Sequence, residues 1–239
     1  MKTVIPTLLL SIFLLSGCAA THNPDDPLET LNRGVYKFNE VADKAVMKPV
    51  AKAYDFVMPR FGKIMFNNFI SNLDDFVVTL NDLLQLKFSQ AASDGSRFII
   101  NSTFGLGGFI NVASRLEKHH EDFGQTLGYW GISSGPYLVL PILGPSTLRD
   151  TTGLYIDTVT DLPSKIEDIP TRNKYYVGSF IHRRSNLLDS GEVLDTAALD
   201  KYQMLRDSYL LHRKSLVYDG SPPRPSYDDF DDEEDDYDF

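Results

Sequence analysis

Ser133 lies in Gly131-Ile132-Ser133-Ser134-Gly135, the Gly-x-Ser-x-Gly spacing of a nucleophile elbow, and Asp157 and His182 follow in the chain order of an α/β-hydrolase triad. Such a set would hydrolyse esters, and a phospholipase using Ser133 is one alternative it opens. The elbow, however, needs a buried strand before the serine and a helix after it. Gly128 and Gly131 break the approach, and Pro136 follows almost at once without helical periodicity beyond, so the segment reads as a turn. Gly105-Leu106-Gly107-Gly108 holds part of a dinucleotide-binding loop, but no parallel-strand pattern surrounds it, and a tight turn between helices suits it better. His119-His120-Glu121-Asp122 presents four metal-ligating residues in a row. Neighbours on a helix diverge by about 100° and do not converge on one ion, so these read as a solvated polar loop. Arg183 and Arg184, near Tyr175, Tyr176 and Phe180, suit either phosphate headgroups or paired surface charges. Neither a cofactor nor a metal is expected.

The one cysteine, Cys18, excludes internal disulfides and Cys-based zinc or redox centres. It follows Lys2, a twelve-residue mostly apolar run from Val4 to Leu15, and Leu15-Ser16-Gly17. That core suits a signal peptide and is too short to cross a bilayer. Leu15-Ser16-Gly17-Cys18 resembles a bacterial lipobox, which implies removal of residues 1–17 and acylation of Cys18. Ala19, where an aspartate commonly retains Gram-negative lipoproteins at the inner membrane, points to the outer membrane. The net charge of −10 is local: residues 228–239 hold nine of the 33 acids and no base, leaving 24 acids against 23 bases. A nearly neutral body has no basic field for nucleic acid.

The elements that position these residues read as helices. Asp26-Pro27-Leu28-Glu29 has the form of a helix start, with Asp26 as N-cap, and Leu28, Leu31, Val35, Phe38, Ala42 and Ala45 then make one apolar face. Pro49 and Pro59 punctuate the chain, and residues 73–84 and 88–99 repeat the helical spacing. No sustained period-two pattern supports a sandwich or barrel. Residues 105–153 hold nine of the sixteen glycines, and Pro136, Pro141 and Pro145 interrupt the apolar stretch 137–143. That stretch is either a buried hairpin or crossover, or an apolar element against lipid. Residues 196–217 form another amphipathic helix closed by Gly220, and prolines 222, 223 and 225 end the fold. The domain boundaries are a leader at 1–17, a tether at 18–25, a single helical domain at 26–220 and a disordered acidic tail at 221–239.

Ordered blocks carry a family resemblance over roughly 26–219. They include Asp26-Pro27-Leu28-Glu29, Leu31-Asn32-Arg33, Tyr36-Lys37-Phe38-Asn39 and Asn101-Ser102-Thr103 before Gly105-Leu106-Gly107-Gly108-Phe109-Ile110. Asp122-Phe123-Gly124-Gln125-Thr126-Leu127-Gly128, Trp130-Gly131, Gly135 to Pro141, Gly144 to Asp150 and Leu187-Leu188-Asp189-Ser190 complete the set. The chain resembles the MlaA family, also called VacJ, of outer-membrane lipoproteins. The resemblance implies a mainly α, ring-like domain in the inner leaflet, with an amphipathic channel. Misplaced phospholipids would leave the outer leaflet through it and pass to a periplasmic carrier, and a trimeric porin is a further implied partner. A structural porin-associated lipoprotein without transport is the other reading. Glycine permits close approach and unusual dihedrals, which places a gating element in 124–145, at Gly124, Gly128, Gly131, Gly135, Pro136, Tyr137, Leu138 and Pro141.

Overall fold

The computed structural model describes residues 26–189 and 199–223. The leader, Cys18, the tether and the tail from 224 lie outside the described residues. The described chain is mainly helical, as its periodicity predicts. Helix α1 (Glu29–Ala42) runs through a widened π turn (Asp43–Met47) into α2 (Lys48–Val57). Pro49 therefore does not break the chain: it sits at the start of α2, directly after the π turn that loosens the hydrogen-bond ladder where its missing N–H would fall. The break comes at Met58, extended ahead of Pro59. Helices α3 (Arg60–Leu84) and α4 (Phe88–Phe104) pack as a hairpin. Then follow α5 (Phe123–Tyr129), strands β1 (Tyr137–Leu140) and β2 (Gly144–Thr147), α6 (Leu148–Thr160), α7 (Ile169–Asn186) and α8 (Lys201–Val217). Asp122, Thr147, Asp168 and Asp200 cap α5, α6, α7 and α8 through their side chains.

The stretch 137–143 follows the hairpin reading. It begins as the first strand of an antiparallel hairpin, with Tyr137 opposite Thr147 and Leu140 opposite Gly144. Tyr137 and Val139 are buried, while Ile142 and Leu143 project from the tip.

The polarity of the packing is inverted. Among the described residues, eight hydrophobic side chains are buried against twenty-one polar or charged ones. The apolar stripe of α1 faces outward at Leu31 and Phe38, and the residue α1 buries is Asn32. Helix α3 likewise buries Asn72, Asp75, Asn81 and Asp82, and α4 buries Asp94, Arg97 and Asn101. Phe56, Phe61, Phe88, Ile99 and Phe104 are exposed, Phe56 at 90%. In water this arrangement would forgo most of the hydrophobic driving force, so the outer surface is built for an apolar medium.

The principal packing closes a circuit. Strand β1 lies on α1, β2 on α6 and α8, both of those helices on α5, α5 on α3, α3 on α7, and α7 on α2, which continues from α1. The two ends are clasped. Asp26 is not a helix cap but a buried acceptor for Asn32 Nδ2 at 2.8 Å and for the Tyr202 hydroxyl, with Arg206 Nη1 3.5 Å away. Arg33 adds bonds to Glu29 at 2.6 Å and Asp200 at 2.8 Å, with its guanidinium 4.4 Å over the Tyr202 ring.

Candidate functional site

A cavity of about 540 Å³ opens between the α1–π–α2 segment, the tip of the β-hairpin, α7 and α8. Its size falls within the range of small-ligand sites. Two chemistries line it. Tyr36, Met47, Val139, Leu143, Phe180 and Leu205 make apolar wall, and Glu40, Asp43, Lys44, Lys48, Arg183 and Arg184 bring charge. Arg184 grips Asp43 with a fork at 2.6 and 2.8 Å, which ties α7 to the π turn. Arg183 bonds both oxygens of Asp74, at 3.2 and 3.0 Å, and Lys44 pairs with Glu40 at 2.7 Å. The paired-charge reading of Arg183 and Arg184 therefore holds, while Lys48 has no ion pair among the described residues. An anionic headgroup with attached hydrocarbon matches such a lining: charge for the phosphate, apolar wall for the first carbons.

The hairpin at this cavity is held by two asparagines. Asn32 accepts from Val139 N at 2.9 Å and donates to the Tyr137 carbonyl at 2.9 Å. Asn39 accepts from Ile142 N at 2.7 Å and donates to the Leu140 carbonyl at 2.9 Å. Seven helical residues rise about 10.5 Å and three strand residues about 10 Å, so the two amides meet the strand edge at matching intervals. Side chains thus stand in for a third strand. Ile142 is held at φ +68°, a conformation that a β-branched residue adopts only under constraint.

The residues of the sequence-predicted gating segment are placed differently from one another. Gly124 and Gly153 let α5 and α6 cross closely, since a Cβ on Gly153 would come within 2.3 Å of Gly124 N. Gly128 packs against Arg149 and Val217. Gly131 and Gly135 have φ of +85° and +65° and bracket the turn at Ser133. The Pro136 carbonyl receives Leu148 N at 3.2 Å, and Leu138 pairs with Ser146 in the hairpin. Tyr137 is fully buried, its ring 6.2 Å from those of Tyr202 and Tyr209. Pro141 lines a shallow apolar groove with Leu31 and Phe38. None of the eight lines the 540 Å³ cavity; its hairpin wall is Val139 and Ile142 to Gly144.

The structure does not assemble Ser133, Asp157 and His182. His182 Nδ1 lies 3.0 Å from the Tyr54 hydroxyl, its ring edge-on to Tyr54 and Phe66, and burial with the nearby Arg183 charge pushes its pKa down. Asp157 accepts from Phe123 N at 2.9 Å and Asn81 Nδ2 at 3.1 Å. Burial, only partly offset by those two donors, pushes its carboxyl up to about 6. The 119–122 stretch is a loop, as predicted, with His120 exposed, but its other side chains are tied to neighbouring elements. His119 Nδ1 meets Asp94 at 2.6 Å, Glu121 accepts from Gln85 at 2.8 Å and Lys87 at 2.9 Å, and Asp122 turns away to α8. No group of three metal-ligating side chains is found among the described residues. Gly105 to Gly108 end α4 as predicted, with Gly108 N returning to the Asn101 carbonyl at 2.9 Å.

A second network escaped the sequence reading. Arg213 binds Asp122 at 2.5 and 2.9 Å and Asp150 at 3.1 and 2.9 Å, and Tyr209 donates to Asp150 at 2.9 Å. Burial alone would raise both carboxyls, but Arg213 holds them below the usual range. The only signal was the family blocks that contain both aspartates.

Helices that turn apolar faces outward around a polar interior, with an amphipathic cavity, define a protein of the membrane interface. No described helix is long and apolar enough to cross a membrane. The model of the MlaA lipoprotein family matches residues 24–216. The chain is 35% identical to the "Intermembrane phospholipid transport system lipoprotein MlaA" of Shigella flexneri, across 94% of this chain and 92% of that one. It is 34% identical to the protein of the same name in Haemophilus influenzae, with 92% of each chain covered. A solved chain described under "Structural basis for maintenance of bacterial outer membrane lipid asymmetry" superposes with a TM-score of 0.72 at 32% identity, covering 80% of this chain and 98% of that one. The chain belongs to the MlaA lipoprotein family.

Proposed function

We propose that the protein is the outer-membrane lipoprotein of an intermembrane phospholipid transport system. It takes misplaced phospholipids from the outer leaflet and passes them to a periplasmic carrier, which maintains lipid asymmetry. Cys18 is its acylated anchor, the body faces the periplasm from the inner leaflet, and a trimeric porin is a candidate neighbour. The observation that carries this reading is the inverted polarity around an amphipathic cavity: hydrocarbon outside, a headgroup route inside. The names of the relatives support it. The hairpin within 124–145 gates the cavity, its tip being tied to α1 through Asn39.

The test is outer-leaflet phospholipid in intact cells, read with a leaflet-restricted reporter, in a deletion strain complemented by wild type or Ser133→Ala. Accumulation on deletion, rescued equally by both, supports transport. Rescue by wild type alone, together with release of fatty acid by the purified wild-type protein, revives hydrolysis at Ser133, and no accumulation leaves a structural lipoprotein. An engineered disulfide tying the hairpin tip to α1 should block rescue; intact transport with the clamp closed would refute gating there.

A further inference from the structure

The Gly-x-Ser-x-Gly turn is not a nucleophile elbow, yet it borders a second cavity, of about 470 Å³, between α5, the turn and α8. Its lining differs from that of the first. Arg149, Arg213 and Lys214 bring three cations, Ser133 and Ser134 bring hydroxyls, and no lining residue is acidic. In a chain with more acids than bases that is a selective arrangement. Asp150 holds Arg149 by Nε and Nη2, both at 3.1 Å, leaving Nη1 with only a long 3.4 Å contact to the Ile132 carbonyl. Arg213 is fixed by Asp122 and Asp150 behind the cavity. Lys214 has no ion pair among the described residues, so its charge is the unbalanced one at the mouth. The backbone N–H groups of Ser133 and Ser134 have no hydrogen-bond acceptor among the described residues, and the glycines at both ends of the turn adopt positive φ. Successive free N–H groups in such a turn favour an anion.

A smaller opening of about 190 Å³ lies between the two cavities along the hairpin. It shares Leu143 with the amphipathic cavity and Arg213 with the polar one. We infer that the polar cavity at Ser133, Ser134, Arg149 and Lys214 is a phosphate-binding site, a second station for a phospholipid headgroup beyond the amphipathic cavity. Its place on a lipid route rests on the transport reading; its affinity for phosphate does not.

The test is calorimetric titration of the purified, acylated protein in detergent with dihexanoyl phosphatidylethanolamine below its micellar concentration, and separately with inorganic phosphate. Lys214→Gln should weaken one binding event about tenfold, as loss of a charge-assisted hydrogen bond does. The double variant Ser133→Ala, Ser134→Ala, which changes no charge, should weaken the same event. Lys48→Gln, in the other cavity, should leave that event unchanged. Lipid binding tighter than inorganic phosphate assigns the site to headgroups; equal binding keeps the phosphate site and assigns it to the free anion. Unchanged titrations in both the Lys214 and the serine variants would overturn the proposal. If deletion leaves outer-leaflet phospholipid normal while Lys214-dependent binding persists, the transport reading fails and the phosphate site stands.

Discussion

Asp82 is 0% exposed, and neither of its carboxyl oxygens has a hydrogen-bond partner among the described residues. Burial, with the charges of Asp94 on α4 and Glu121 on the following loop, pushes it up to about 7, against weaker opposition from His119 and Lys87. The folded state therefore holds this proton over a range in which the unfolded chain has released it. Stability contributed here is present below about pH 4 and is lost as pH rises to about 7. Asp82→Asn should raise the melting temperature at pH 8 by on the order of 5 °C and change it little at pH 4. Thermal melts of wild type and variant across that range check the sign. Asn39 offers a second test at this scale. Asn39→Ala removes both of its bonds to the hairpin tip, at Leu140 and Ile142, and leaves Asn32 in place. Amide exchange at Ile142 should accelerate while exchange at Val139 stays slow, at a global cost of about 1–3 kcal/mol.

Among the elements, α8 is held by apolar contact through Tyr202, Tyr209 and Leu210 and by buried charge. Arg213 and Arg206 are both buried, and each faces carboxylates on other segments. Arg213→Met leaves Asp122 and Asp150 without their cation, so it should cost about 3–5 kcal/mol, read as a lowered denaturant midpoint. The apolar spacing made the helices legible, because an outward stripe has the same period as an inward one. For that reason it did not tell which side was core: Leu31 and Phe38 repeat as a buried face would, yet Asn32 is the residue inside. The caps at Asp122 and Asp200 follow local rules, whereas Asp26 looks like a cap and bonds to Asn32 and Tyr202 instead. Local spacing cannot show a partner 176 positions away. The glycine-rich segment was legible as irregular, but not which of its glycines serve close packing, such as Gly124, and which serve turns, such as Gly131.

At the scale of the molecule, the exposed hydrophobic side chains offer an attachment to lipid separate from the acyl anchor proposed at Cys18. A Cys18→Ser form should still float with vesicles, since Phe56, Phe61, Phe88 and Phe104 stand exposed without it. Phe56→Ser with Phe61→Ser in that form should weaken vesicle partitioning by at least about tenfold, because each ring transfers about 1.5–3 kcal/mol of burial. Flotation of the two proteins in parallel measures it. The clasp of Asp26 to Tyr202 and Arg206 also fixes an order of events. A chain that emerges N-terminus first presents α1 long before its partner exists, and α8 is the last described helix to arrive. Long-range closure is the slow step in such topologies, and exposed apolar surface is what aggregates meanwhile. Until residue 206 is delivered, the clasp stands open, and Asp26 on the N-terminal side is without its partners on α8. The hazard in this protein's life is therefore the interval between synthesis and closure of that clasp.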